Sequence, residues 1–105
     1  MTATFVKICS LSEISSGRIK VVNIDGREIA LIRANELIYA LDNICTHDGG
    51  ELGDGTIIDG QIQCPRHGAR FDLKTGAVTQ MPAAVGITSY PIKIENGEVF
   101  LELQD

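Results

Sequence analysis

Two short runs concentrate the residues best suited to holding a metal: Cys45-Thr46-His47 and Cys64-Pro65-Arg66-His67, with residues 48–63 between them, in a chain that has only two histidines and three cysteines. Each run pairs one thiol with one imidazole. Two soft thiolates and two borderline imidazoles suit a tetrahedral zinc, or a diiron centre in which the two ligand types divide between the metals. Zinc fingers of the Cys2His2 kind keep both imidazoles at one end, as His-x3–5-His, whereas here each half is mixed. The candidate ligands are Cys45, His47, Cys64 and His67, and Cys9 is left over.

The rest of the chain must bring these halves together. Short apolar and β-branched runs recur at intervals of about ten residues, each ended by turn residues, and no long segment keeps a helical period. The spacing predicts strands over Thr4–Ser10, Arg18–Ile24, Glu28–Arg33, Leu37–Asp42, Gln61–Cys64, Ala69–Leu73, Ser89–Glu95 and Glu98–Glu102. Asp25-Gly26 and Asn96-Gly97 read as two-residue hairpin turns, and Asp59-Gly60 and Thr75-Gly76 as further reversals. Ser10 to Glu13 has capping-box spacing, so one helical turn is expected after the first strand. Cys9 alternates within that strand and reads as a packing thiol. Composition shifts in the middle: residues 42–74 are rich in Gly, Cys, His and Asp, while the flanks alternate apolar residues. The expected fold class is all-β, a single domain over residues 1–105, with 42–74 as a small metal-binding lobe and 1–41 and 75–105 as a sandwich or barrel base.

With 105 residues, the chain has room for a modest core and little length for a second active site. A formal charge of −5, from 14 acidic and 9 basic side chains, argues against nucleic acid, whose phosphates need a basic footprint. Asp48, Glu51, Asp54 and Asp59 cluster around the first run. No apolar run approaches the roughly 18 residues of a membrane span, and the N-terminus has no basic segment followed by an apolar stretch and cleavage site. The expectation is a cytoplasmic monomer, with its cysteines serving as ligands rather than as a disulfide framework. There is no Gly-x-Ser-x-Gly elbow, no phosphate-binding glycine loop and no third histidine for a mononuclear iron, so catalysis by the chain itself is not expected.

The segments CTHDGG and CPRHGARF resemble the two cluster-binding loops of Rieske proteins, and MPAAVGITSYPIKIENGEVFLEL resembles the proline-containing stretch and final hairpin that follow them in small Rieske-type ferredoxins. The resemblance covers most of the chain. It implies the Rieske fold and one [2Fe-2S] cluster per chain, with Cys45 and Cys64 on one iron and His47 and His67 on the other. It also implies the role of such ferredoxins in bacterial ring-hydroxylating oxygenases: a one-electron carrier between an NAD(P)H-dependent flavoprotein ferredoxin reductase and a terminal Rieske non-haem iron oxygenase. Gly49, Gly50 and Gly68 would let backbone N–H groups approach bridging sulfides. Pro65 would hold the second loop's shape, and Pro82 belongs to the segment that covers the cluster. By resemblance, both imidazoles bind through Nδ1 and leave Nε2 outward as the electron's exit. Thr46, Asp48, Pro65, Arg66 and Pro82 would flank that exit in a contact below about 1,200 Å², the small size common in electron transfer.

Two neutral imidazoles in place of thiolates make the electron easier to accept, placing such centres at roughly −150 to +300 mV. High-potential Rieske proteins of respiratory complexes brace their loops with an extra disulfide, at the positions of Gly50 and Arg66 here. They also carry Ser and Tyr hydroxyls after the second loop, where this chain has Ala69 and Phe71. The low end of the range is expected. Three alternatives remain open: the Rieske-like small subunit of an assimilatory nitrite reductase, a zinc-stabilised interaction module, and a Rieske domain detached from a terminal oxygenase. Against the last, no catalytic domain follows and the chain reads as complete.

Overall fold

The computed structural model describes residues 3–34, 37–44, 53, 55–65, 68–80 and 86–104. Among them are eleven strands and one short 3-10 turn: β1 Ala3–Ser10, the turn Leu11–Glu13, β2 Ile19–Ile24, β3 Arg27–Ala34, β4 Leu37–Asp42, β5 Thr56–Ile58, β6 Gln61–Gln63, β7 Arg70–Asp72, β8 Val78–Gln80, β9 Ser89–Tyr90, β10 Ile92–Glu95 and β11 Glu98–Gln104. They form three antiparallel sheets, with strand orders β1-β11-β10, β2-β3-β4-β9 and β5-β6-β7-β8.

Strand β3 explains the layering. Its run Ile29-Ala30-Leu31-Ile32 is wholly buried on both faces, so alternate side chains enter different cores. Ile29 and Leu31 pack with Cys9, Ile14, Ile38, Ala40, Val99 and Leu101, which joins the central sheet to the terminal one. Ala30, Ile32 and Ala34 pack with Leu41, Ile62, Cys64, Ala69, Phe71, Leu73 and Ile87, which joins the central sheet to the lobe sheet. The lobe sheet reaches past Lys74, because β8 pairs with β7.

Hairpin turns set the register. Asp25 and Gly26 take φ of 51° and 83°, Asp59 and Gly60 take 45° and 76°, and Asn96 and Gly97 take 50° and 74°. Paired positive φ values are those of type I′ turns, which match the twist of the strands they join. The expected turn after β1 also forms: the Ser10 N–H donates to Glu13 Oε2 at 2.8 Å, and Arg33 Nη1 donates to Ile14 O at 2.8 Å, pinning the turn to the central sheet.

One expected strand is two. Ser89–Glu95 breaks at Pro91, where the chain leaves β4's edge as β9 and joins β11 as β10. Proline has no N–H for a ladder and so marks such a change of sheet. β5 and β8 were not expected; each is three residues long and only partly buried.

Candidate metal centre

Of the four candidate ligands, Cys64 lies within the described residues; Cys45, His47 and His67 lie outside them, as do Thr46, Asp48, Gly49, Gly50, Glu51, Asp54, Arg66 and Pro82. Among the described residues no group of three or more His, Cys, Asp or Glu side chains gathers as a metal site. What the described residues do give is the mounting of both loops.

Cys64 follows the last residue of β6, 1% exposed and without a disulfide. Its N–H donates to Ala69 O at 2.7 Å, and its carbonyl accepts from the Gly68 N–H at 3.3 Å. Backbone bonds therefore close the base of the loop 65–68. Gly68 sits at φ 80°, and a Cβ there would stand 3.2 Å from Gln63 Nε2. Both facts favour glycine where the loop turns back into β7. Gln80 Nε2 also donates to Gly68 O at 3.1 Å, tying the end of β8 to this loop. Pro65 is exposed beside Cys64. Behind the loop, Ala69 and Phe71 are both fully buried. Both positions are thus apolar core.

The first loop leaves β4 and is held differently. Asp42 N–H donates to Thr88 O at 3.0 Å, and Tyr90 Oη donates to Asp42 Oδ1 at 2.5 Å, fixing the end of β4 to β9. The Tyr90 phenol is pushed up, chiefly by burial and then by its hydrogen bond to Asp42. Asn43 follows, 5% exposed. Its N–H donates to Glu28 O at 2.9 Å and its Oδ1 accepts from the Gly53 N–H at 2.7 Å. Sequence reasoning passed over Asn43, because an Asn at a strand end reads as a turn former. Ile44, next to Cys45, is 44% exposed.

Gly76 links the lobe to the base. Its φ is 78°, it accepts from the Ile87 N–H at 2.7 Å, and a Cβ on it would fall 1.9 Å from Ile87 O. Any side chain there must push the 86–88 segment away. Asp59 stands in the turn after β5.

A free buried thiol at the base of a tight hairpin loop, with glycine beside it and a mixed Cys/His donor set supplied by the two runs, fits a cluster whose sulfurs need close backbone approach. Comparison with known proteins agrees. The Rieske [2Fe-2S] domain profile matches residues 4–91. The chain is 39% identical over 103 residues to the ferredoxin component of the naphthalene 1,2-dioxygenase system of Pseudomonas putida, covering 98% of this chain and 99% of that one. The ferredoxin of carbazole 1,9a-dioxygenase from Nocardioides aromaticivorans IC177 superposes with a TM-score of 0.88 at 29% identity, covering 93% and 96%. A ferredoxin in a complex of reduced oxygenase and oxidized ferredoxin in carbazole 1,9a-dioxygenase gives 0.85 at 32%, covering 92% and 91%. This chain belongs to the Rieske [2Fe-2S] domain family, and its cofactor is a [2Fe-2S] cluster. That removes the zinc module from consideration.

Proposed function

We propose that this protein is the ferredoxin component of a multicomponent system that oxygenates aromatic rings, a one-electron carrier rather than an enzyme. The observation that carries this reading is the near full-length likeness to a dioxygenase-system ferredoxin, at 39% identity over 98% of the chain. Cys45 and Cys64 would hold one iron, and His47 and His67 the other. When bound, the cluster takes up one electron and gives it back. The chain's own work is to present the ligands and to dock. Phe71, Ala69 and Ile62 close off the lobe behind Cys64, leaving the loop side for exchange. Pro65, exposed, belongs to the contact surface together with Thr46, Asp48, Arg66 and Pro82.

On this reading the partners are a terminal oxygenase, which the carbazole 1,9a-dioxygenase complex of a similar protein supports, and upstream an NAD(P)H-dependent flavoprotein reductase. No described helix is long and apolar enough to cross a membrane. A cytoplasmic monomer suits a shuttle that must leave one partner to reach the next.

The test is the EPR spectrum of anaerobically purified protein before and after dithionite. Silence when oxidised and a rhombic spin-half signal when reduced, with mean g below that of all-cysteine clusters, is the expected result. Silence in both states from folded, colourless protein would overturn it. Transfer is then checked by stopped-flow reoxidation of the reduced protein with a terminal aromatic-ring oxygenase.

A further inference from the structure

We propose that Asn43 is the positioning residue for the first ligand loop: a side-chain clasp that joins the loop's two ends and fixes where Cys45 and His47 start from. This rests on the reading of those two residues as ligands. The observation is the asymmetry between the loop bases. The second loop closes through backbone bonds between Cys64, Gly68 and Ala69. Among the described residues, the first is bridged by a side chain: Asn43 Oδ1 accepts from Gly53 N–H at 2.7 Å across residues 44–52.

Asn43 is the buried polar side chain among the described residues, and a buried carbonyl deprived of its donor is costly. Its amide is oriented from both ends. Nδ2 donates to Glu28 Oε1 at 3.4 Å, and the backbone N–H donates to Glu28 O at 2.9 Å, so β3 holds the residue while Oδ1 faces Gly53. A flipped amide would set oxygen against the Glu28 carboxylate. Aspartate would do the same with a full charge, although its shape is equal and it could still accept from Gly53. The clasp therefore needs an acceptor on one side and a donor on the other, which asparagine supplies. Gly53 is itself confined, since a Cβ there would meet Val21 Cγ2 at 2.7 Å. A cluster held between two loops feels any displacement of one against the other, so loss of the clasp acts on the cluster more than on the fold.

The experiment compares cluster-loaded wild type with N43A, N43D and the double variant N43D/E28Q, using V99A as a control from the other side of β3. The readouts are the rate of bleaching by a strong iron chelator, EPR g values of the reduced form, and Tm. N43A and N43D are expected to bleach about tenfold faster than V99A at comparable Tm loss, the low end of what supporting residues of metal sites contribute, with shifted g values. N43D/E28Q, in which the donor and acceptor roles toward residue 28 are exchanged, is expected to return to within about twofold of wild type. Bleaching of N43A no faster than V99A, or a double variant no better than N43D, would overturn the proposal. If N43A does not fold, the N43D and N43D/E28Q pair decides alone. A Cys45→Ala variant that kept its full cluster would instead remove the ligand reading and leave the clasp as a purely structural bond.

Discussion

Cys9 and Cys64 are buried to nearly the same degree, 6% and 1%, on opposite sides of β3. Cys9 sits among Val99, Leu101 and Ile29, and Cys64 among Phe71, Ala69 and Ile62. Burial therefore does not separate a packing thiol from a candidate ligand. The backbone around each does. Cys9 lies inside β1, paired with Val99, with Ser10 paired to Glu98 beyond it, so its side chain has one packed layer to enter. Cys64 stands one residue past β6, at the base of a loop that begins with exposed Pro65. Burial also pushes the Cys9 thiol up, which keeps it protonated and unreactive.

The sharpest test of this contrast is to remove each sulfur in turn. Cys64→Ala is expected to purify colourless and without cluster iron, while Cys9→Ala keeps the full iron content and visible spectrum. Iron retained by Cys64→Ala would break the contrast at once. The next test compares the two cores. Phe71→Ala should cost about 3–5 kcal/mol in urea unfolding and speed cluster loss, whereas Val99→Ala should cost about 2 kcal/mol and leave the cluster in place. Equal cluster loss from both would mean that β3 does not insulate the lobe from the terminal sheet.

Smaller effects concern tuning. Ala69→Ser with Phe71→Tyr places hydroxyls on the side of β3 that holds Cys64, and the midpoint potential should rise by on the order of 60–130 mV, from about 1.5–3 kcal/mol of charge-assisted hydrogen bonding in the reduced state. Protein-film voltammetry showing no change with the cluster intact would remove that account. The smallest effect is alkaline. Cys9 is raised from its ordinary value of 9.0 and Tyr90 from 10.0, each mainly by burial. A raised folded value means the native state holds its proton longer, so this stability is complete below the unfolded value and is lost as pH climbs through the folded one. Tm between about pH 8 and 11 should fall less steeply for Cys9→Ala than for wild type, with the Tyr90 share of the fall remaining. An unchanged slope would show that the Cys9 thiol is not desolvated.

The sequence made the central and terminal sheets legible, because β3 and β4 carry unbroken or alternating apolar residues and two of their turns are Asp-Gly and Asn-Gly. It missed β5 and β8, whose Thr56-Ile57-Ile58 and Val78-Thr79-Gln80 are too short to show a period and gain strand form only by pairing with β6 and β7. It ran Ser89 through Glu95 as one strand, although Pro91 was visible; the apolar alternation on both sides outweighed the missing N–H. At the site, residue type and spacing single out the four ligand candidates, of which Cys64 alone lies within the described residues. Asn43 was not, because its meaning depends on Glu28 on β3 and on Gly53 beyond the loop, and neither distance has a local signature.

The pairing of β1 with β11 also sets a timetable for the chain's birth. Ala3 faces Gln104 and Ser10 faces Glu98, so β1 finds its neighbour only when β11 is made. About 90 residues must leave the ribosome in between, roughly 4–18 s at roughly 5–20 residues per second. Throughout that interval β1 waits as an unpaired edge carrying Phe5 and Val6, both still 40% and 36% exposed in the finished fold, with Lys7 as its nearest charge. The central sheet and lobe contain their own partners, so their strands can pair before the terminal sheet closes.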